Sequence, residues 1–440
     1  KISQTTAAMA AMEMTTGTNT ALMRSASREM GALEEAASSK APISRLADRI
    51  SGIFVPAVMA ISLTAALLWA FVGGMDVRFC LSIAIAVLVI SCPCALGLAT
   101  PVAIMVGTGQ AAQQGILIKS AESLELLHKV QTVVLDKTGT VTEGKPKVVS
   151  MVVLDDEMDE HEVLAYAMAA EETSTHPLAS AILGYGRQIG AQALDHGEII
   201  TEVSRGSRTN VDGHIVRVGN MKYMKENGVT TAKAVPDGQG AIPNYVGIDD
   251  KLVAVLFAMD SPRDNVRRAV NALRYDGVGD IEILTGDMEP QARAVAEQIG
   301  VDGFRAQLLP EQKAEAVLRL QTQGNGVVMV GDGINDAPAL AYADVGISLG
   351  SKSTDIAMET SDVVISRDDP MMIPELRKLS RATMHIVQQN FAIVIGINTV
   401  GLILGAASGI SVMMSALMHN ASTILVVANS LRLMFFPPME

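Results

Sequence analysis

Four apolar stretches, roughly 51–73, 79–107, 388–408 and 411–436, leave a more polar middle between the second and the third. Each is long enough to span about 30 Å of hydrocarbon at 1.5 Å per helical residue, which predicts four membrane helices. The second is interrupted by Pro93 and Pro101. A proline removes a backbone N–H and frees a carbonyl, so a kinked spanning helix that runs on into the cytoplasm is expected there. A short turn around Ala407 to Ile410 separates the last two stretches and makes them an antiparallel hairpin.

In the middle, the β-branched runs Thr132-Val133-Val134-Leu135, Ile281-Glu282-Ile283-Leu284 and Val327-Val328-Met329-Val330 each end at an acidic or Gly-containing loop. Helical patterns separate the last two, which predicts a parallel α/β sheet. Residues 151–257 follow another rhythm: a helical part from Glu162 to about Leu183, ending at Gly184, and then short strands. This reads as a second domain inserted into the first. Residues 1–40, rich in Ala, Met, Ser and Thr, read as the edge of an incomplete domain, with a weakly amphipathic helix over Arg24–Ala37.

Composition narrows the class. A length of 440 residues implies two or three domains. Hydrophobic residues at 49% against 18% charged place part of the chain in lipid. The net charge of −13, with no basic cluster, excludes nucleic acid as a partner. Three cysteines, Cys80, Cys92 and Cys94, all within or beside apolar segments, argue against a disulfide framework. No charged segment followed by an apolar run opens the chain, so no signal peptide is expected and the sequence reads as starting in mid-protein.

The strand ending at Leu135 delivers Asp136-Lys137-Thr138-Gly139-Thr140 to the carboxyl edge of the sheet, where open α/β folds place their sites. A carboxylate there can accept a phosphoryl group, and such a transfer needs positive charge close by. Thr285-Gly286-Asp287, Lys313 and Gly331-Asp332-Gly333-Ile334-Asn335-Asp336 arrive at other strand and helix ends. In this order the motifs closely resemble the phosphorylation domain of P-type ATPases, a haloacid-dehalogenase-like fold. The resemblance implies Asp136 as the phosphorylated residue, with Lys137 beside it, and Thr138 as a contact to phosphate and Mg²⁺. It implies Thr285, Gly286 and Asp287 as the phosphate loop, Lys313 as the phosphate-binding lysine, and Asp332 as a Mg²⁺ ligand with Asn335 and Asp336 beside it.

In the inserted segment, Glu171 and His176-Pro177 resemble the nucleotide signature of the heavy-metal branch of that family, which implies ATP as substrate with Glu171 and His176 at the adenine. Gly206 and Gly219 match its Gly-containing loop, although Ser204 stands where the family has the first glycine of the pair. Glycines there would let ATP approach the backbone.

Cys92-Pro93-Cys94 lies inside a spanning stretch, and thiolates select soft ions. Ser91-Cys92-Pro93-Cys94-Ala95-Leu96-Gly97-Leu98-Ala99-Thr100-Pro101 resembles the transport helix of heavy-metal P-type ATPases. Counting back from Asn429-Ser430-Leu431-Arg432-Leu433 puts His419 where the copper branch has Met and the zinc branch Asp. Asn398 falls at the copper branch's Asn, with Ile397 in place of its Tyr, and Asn420, Ser422 and Thr423 are polar residues of the kind that hydrogen-bond between membrane helices. These five residues, Cys92, Cys94, His419, Asn398 and Ser422, are the candidate ligands of the transported ion. Cys80 lacks a partner at ligand spacing and reads as packing.

The expected organisation is a remnant of an actuator domain and linker at 1–40 and a membrane helix pair at 41–127. A phosphorylation domain made of 128–150 and 258–370 follows, with a nucleotide-binding domain inserted at 151–257 and a membrane hairpin at 371–440. The expected activity is ATP-driven export of a soft transition-metal ion, Cu(I) first, with Zn(II), Co(II), Ni(II) or Mn(II) as alternatives. The resemblance implies a plasma-membrane protein with both soluble domains in the cytoplasm, a lipid bilayer around it, and a metal chaperone as a possible partner. No Thr-Gly-Glu occurs in the sequence. That leaves open a transport-incompetent or regulatory fragment and implies slow loss of the phosphate from Asp136.

Overall fold

A computed structural model describes residues 42–437 apart from 93, 203–204, 232, 237, 239, 325, 334–335, 351–358 and 408–409. The expected helix at Arg24–Ala37, and Ser204 and Asn335, lie outside the described residues. Two compact units share the chain. One holds the part up to Thr132 with Val317–Met329 and Ala339–Glu440, the other Val133–Ala316 and Val330–Pro338.

The first unit contains the apolar helices α1 (Pro42–Phe71), α2 (Val77–Ile90), α3 (Cys94–Gln113), α4 (Met372–Ala406) and α5 (Val412–Leu431). They form four stretches long and apolar enough to cross a membrane, Gly52–Phe71, Val77–Gln113, Met372–Ala406 and Val412–Phe435. These match the four expected spans, with α4 starting well before residue 388 because its first turns continue outside the apolar stretch. Asp76 caps α2 by accepting from Phe79 N–H at 3.1 Å. Trp69 donates from its indole to the Ala406 carbonyl at 2.9 Å and meets Phe79 edge to face. Near the start of α4, Arg377 donates to the Val130 carbonyl at 3.0 Å and Ser380 to the Leu124 carbonyl at 2.5 Å, both from buried positions.

Thirteen strands are described: β1 (Ile116–Ile118), β2 (Thr132–Asp136), β3 (Lys147–Val153), β4 (Ile200–Glu202), β5 (Gly206–Val211), β6 (His214–Gly219), β7 (Ile242–Ile248), β8 (Lys251–Met259), β9 (Asp280–Leu284), β10 (Gly303–Arg305), β11 (Val327–Gly331), β12 (Val345–Leu349) and β13 (Val363–Ile365). In the first unit β1, β13, β12 and β11 are neighbours in that order, with β12 and β13 parallel and β1 antiparallel to β13. In the second, β2, β9 and β10 are neighbours, β9 and β10 in parallel. The division between the units falls inside β2 and β11. Strands β2 and β11 are buried along their whole length. Continuous burial is why they read as unbroken apolar runs rather than as alternating ones.

The second unit also carries an antiparallel sheet ordered β3-β8-β7-β6-β5-β4. Its core joins Val163, Leu164, Ala167 and Ile182 from two helices to Val211, Val216, Val218 and Leu256 from the strands. Two expectations are corrected here. The single helical part over 162–183 is two helices, Glu160–Glu171 and Pro177–Ile189, the second ending at left-handed Gly190. Pro177 has no N–H and suits a first helical turn, so it starts a helix rather than continuing one. The boundaries at 150/151 and 257/258 fall within β3 and β8, because these two strands pair with each other through Lys147↔Met259.

Gly206 and Gly219 face each other across β5 and β6. A Cβ at Gly206 would strike the Val218 carbonyl and come within 2.8 Å of the Tyr223 ring; one at Gly219 would strike the Arg205 carbonyl. Both glycines are therefore demanded by packing of the chain on itself. Gly206→Ala is expected to destabilise this sheet by about 1–3 kcal/mol with no nucleotide present. Hydrogen exchange of the β5 and β6 amides checks it; unchanged protection contradicts the packing account.

Candidate functional site

Strand β2 ends at Asp136, 3% exposed, and the chain then turns through Lys137–Val141 with Gly139 at φ 77°. That left-handed position favours glycine. A Cβ on Gly139 would also lie 2.5 Å from Asp332 Oδ2, so the glycine lets the Asp332 carboxylate approach the loop. Gly331 does the same for Asp336, whose carboxylate fills the space a side chain would need. Two strand ends thus bring Asp136, Asp332 and Asp336 together.

Lys313 follows Pro310 on the helix Pro310–Thr322 and is 5% exposed. Its ammonium pairs with Asp136 Oδ1. The helix entry is held by Gln312, whose side chain accepts from Leu309 N–H at 2.8 Å. Lys137, equally buried, pairs with Asp287. After β9, Thr285 Oγ1 accepts from Asp287 N–H at 3.1 Å, and Leu308 N–H bonds the Thr285 carbonyl at 3.1 Å. Asp136, Thr138, Gly286, Asp287, Leu308, Pro310, Lys313 and Asp332 line one open cleft of about 240 Å³. Of the expected phosphorylation residues, these together with Lys137, Thr285 and Asp336 gather here; Asn335 lies outside the described residues.

One contributor was not anticipated. Arg263, following β8, donates from Nη2 to the Gly139 carbonyl at 2.7 Å and from Nε to the Thr140 carbonyl at 3.1 Å. It props the loop that carries the nucleophile position. Nothing local in Asp260-Ser261-Pro262-Arg263 signals that contact, which exists only once β8 returns beside the loop.

Burial, followed by repulsion from Asp336, pushes the Asp136 carboxyl up to about 7, against the lowering effect of Lys313. Carboxylates crowded in this way favour a divalent cation, and Asp136, Thr138 and Asp332 offer hard oxygen ligands on the open side of the cleft. The residues present therefore fit Mg²⁺.

At the other site, Glu171 ends the helix Glu160–Glu171, is buried, and accepts from Ser207 Oγ at 2.7 Å. Burial raises its carboxyl pKa, opposed by hydrogen bonds from Ser207 and Ser174. His176 caps the next helix, accepting from Leu178 N–H at Nδ1, 3.2 Å. His176 is itself exposed. The Glu171–Ser207 bond sets the end of the helix Glu160–Glu171 beside the Gly206–Gly219 pair.

In the bundle, α2 ends at Ile90 and α3 begins at Cys94. The sulfurs of Cys92 and Cys94 lie against each other, while Cys80 is free and buried. Ligation requires the reduced pair, two thiolates. An imidazole nitrogen of His419 on α5 completes the group: the three ligand atoms lie within 4.8 Å of one another.

Helix register locates the remaining two candidates. Asn390 on α4 bonds Ser430 on α5, Val394 and Val426 pack together with Ala95 and Ala99 of α3, and Gly401 lies against Ile90. Asn398, 5% exposed, sits on that same α4 stripe between Val394 and Gly401, hence at the depth of Cys92 and Cys94, and its Oδ1 is buried without a partner. Ser422 is fully buried but donates to the His419 carbonyl at 2.7 Å, so its proton is committed within α5.

Comparison with known proteins agrees with this geometry. The family of haloacid dehalogenase-like hydrolases matches residues 130–344. A copper-exporting P-type ATPase of Staphylococcus saprophyticus is 41% identical over 407 residues, covering 91% of this chain and 50% of the relative. One of Staphylococcus aureus is 39% identical over 408 residues, with the same coverage. The crystal structure of a zinc-transporting PIB-type ATPase in its E2.Pi state superposes with TM-score 0.80 at 33% identity, covering 92% of this chain and 66% of that one. The catalytic domain of a CPx-ATPase superposes with TM-score 0.51 at 27% identity, covering 62% of this chain and 98% of that one. The middle of the chain is thus a haloacid-dehalogenase-like domain. The chain belongs to the P-type ATPases, and it spans about half the length of the curated relatives it matches.

Because the folded-state pKa of Asp136 stands above its unfolded value of 3.8, its contribution to stability is fully present below about pH 4 and is lost as pH rises through about 7. In the chain free of divalent cation, the infrared carboxyl band that Asp136→Asn removes should titrate near 7. Excess Mg²⁺ should lower that midpoint by about a unit or more. A midpoint in the ordinary carboxylate range without cation contradicts the reading.

Proposed function

We propose that the chain provides the catalytic and C-terminal membrane parts of an ATP-driven exporter of a soft transition-metal ion, with Cu(I) as cargo and Asp136 as the phosphorylated residue. The observation that carries this is a buried carboxylate paired with a buried lysine at a strand end, in a chain that also sets two cysteines and a histidine together among apolar helices.

In this reading the Asp136 carboxylate attacks the γ-phosphorus of ATP. The bond to the bridging oxygen breaks, ADP departs with the electron pair, and a mixed anhydride remains on Asp136. Lys313 neutralises charge on the transferring group, and Thr138, Thr285, Gly286 and Asp287 orient it. Lys137 is held by Asp287. Mg²⁺, held by Asp136, Thr138 and Asp332, with Asn335 and Asp336 beside it, supplies electrostatic stabilisation when bound. Glu171 and His176 hold the adenine, and Pro177, Gly206 and Gly219 shape the surface around it. Water later hydrolyses the anhydride. The soluble domains are cytoplasmic, the helices lie in the cell membrane, and a metal chaperone is a fitting donor of the ion.

Cys92 and Cys94 as thiolates favour Cu(I). A second reading, Zn(II) or another borderline divalent ion, is favoured by His419, because imidazole is a borderline ligand that suits Zn(II), Co(II) and Ni(II). Asn398, with its unpartnered oxygen at the same depth, adds a neutral ligand in either case.

A metal panel under reducing conditions tests the proposal and decides between the readings. Phosphorylation of Asp136 from ATP is expected to rise with Cu(I) above Zn(II), Co(II), Ni(II) and Mn(II). Cys92→Ala should abolish the metal response, and His419→Ala should weaken it by about tenfold or more. A response confined to Zn(II) or Co(II) selects the second reading. Labelling that ignores every metal, or survives Cys92→Ala unchanged, contradicts both.

A further inference from the structure

One polar cluster in the bundle is used by none of these roles. Asn390, 0% exposed, lies on α4. Its amide nitrogen donates to the Ala99 carbonyl of α3 at 3.1 Å and to Ser430 Oγ of α5 at 2.9 Å, while its oxygen accepts from Asn429 Nδ2 at 2.9 Å. Ser430 passes its own proton to the Val426 carbonyl at 2.9 Å. Asn429 also donates to Gln389 Oε1 at 3.2 Å, and Arg432 closes the cluster with a 2.9 Å bond to Asn429 Oδ1 and one of 3.3 Å to Gln389. Both donors and the acceptor of Asn390 are thereby satisfied, and they reach three helices.

Among apolar helices in lipid there is little hydrophobic force to set one helix axially against another. A buried amide does set it, since a slip leaves polar groups unpaired where no water can replace the partner. Ala99 lies five residues after Cys94 on α3, and Asn398 lies eight residues, about two turns, after Asn390 on α4. His419 lies eleven residues, about three turns, before Ser430 on α5. A slip of α3 by a single residue would displace both thiols by about 1.5 Å relative to His419 and Asn398, a large error for a bond of about 2.0–2.3 Å.

We propose that Asn390 is a positioning residue of the metal site: its amide latches α3 to α4 and α5 and holds Cys92 and Cys94 at the depth of His419 and Asn398. The inference rests on the reading of those residues as the ion site. It assigns to Asn390 no contact with the ion.

The test uses the full chain, reduced, in lipid nanodiscs, with Co(II) as probe because a cobalt–thiolate charge-transfer band reports the geometry of the bound ion. Hydrogen exchange across Ala95–Ala103 is read in parallel. Asn390→Ala is expected to weaken Co(II) binding by about 10–100-fold, shift the charge-transfer band and speed exchange in that stretch of α3. Asn390→Gln, which keeps both donors and the acceptor, should recover most of the affinity. Faster exchange with wild-type affinity and spectrum overturns the positioning role and leaves only a structural one. Wild-type behaviour in both readouts overturns the latch itself. If the unsubstituted chain binds no Co(II) and Cys92→Ala changes nothing, the ion-site reading falls, and the exchange data then say separately whether the latch exists.

Discussion

The pairing of Asp136 with Lys313 inside the cleft constrains most of what surrounds it. Two buried opposite charges lose hydration, and the pair persists only where geometry and further polar contacts compensate that loss. Here the compensation is uneven. Lys313 faces one carboxylate directly, while burial first, and then the negative charge of Asp336 and Asp332, push the Asp136 carboxyl well above the ordinary carboxylate range. The arrangement would gain balance from added positive charge, of the kind a divalent cation would supply. Gly139 and Gly331 follow from the same constraint, since a side chain at either position would push an aspartate away. Arg263 belongs here too, because the loop that follows Asp136 has carbonyls that need a donor if it is to keep its shape.

The helices meet a different version of that problem. Among the apolar helices the costly groups are neutral polar atoms, and their pairing separates structural residues from candidates for ligand binding. Asn390 is saturated with partners, Ser422 spends its proton on a carbonyl of its own helix, and the Asn398 oxygen has none. An unpaired amide oxygen at the depth of two sulfurs and an imidazole is the pattern of a binding site, whereas a saturated amide one stretch away is the pattern of a brace.

Much of this was legible in the sequence because its chemistry sits in short, ordered segments. Strand β2 and the Asp136 loop read directly, since a fully buried strand is a continuous apolar run and Asp136 closes it. The four spans read from length and hydropathy. The unread features depend on contacts between distant segments. The nearness of His419 to Cys92 and Cys94 is set by the register of three helices, and counting from Asn429 gives its position but not its distance. The pairing of β3 with β8 moved both ends of the inserted domain, because Lys147 and Met259 are far apart in sequence and adjacent in the sheet. Gly206 and Gly219 suggested room for a ligand, yet that space is filled by the neighbouring strand and Tyr223. The split at Pro177 was readable in principle, since a proline inside a helical pattern ordinarily ends or begins a helix.

The central claim is that the Asp136 carboxylate, and no other group, takes the γ-phosphate. The most direct measurement is digestion of the chain after incubation with γ-labelled ATP, Mg²⁺ and Cu(I), followed by mass spectrometry of the phosphopeptide. The account predicts one hydroxylamine-sensitive label on the peptide containing Asp136, absent in Asp136→Asn. A hydroxylamine-resistant label on a serine or threonine, or a label that persists in Asp136→Asn, would contradict it.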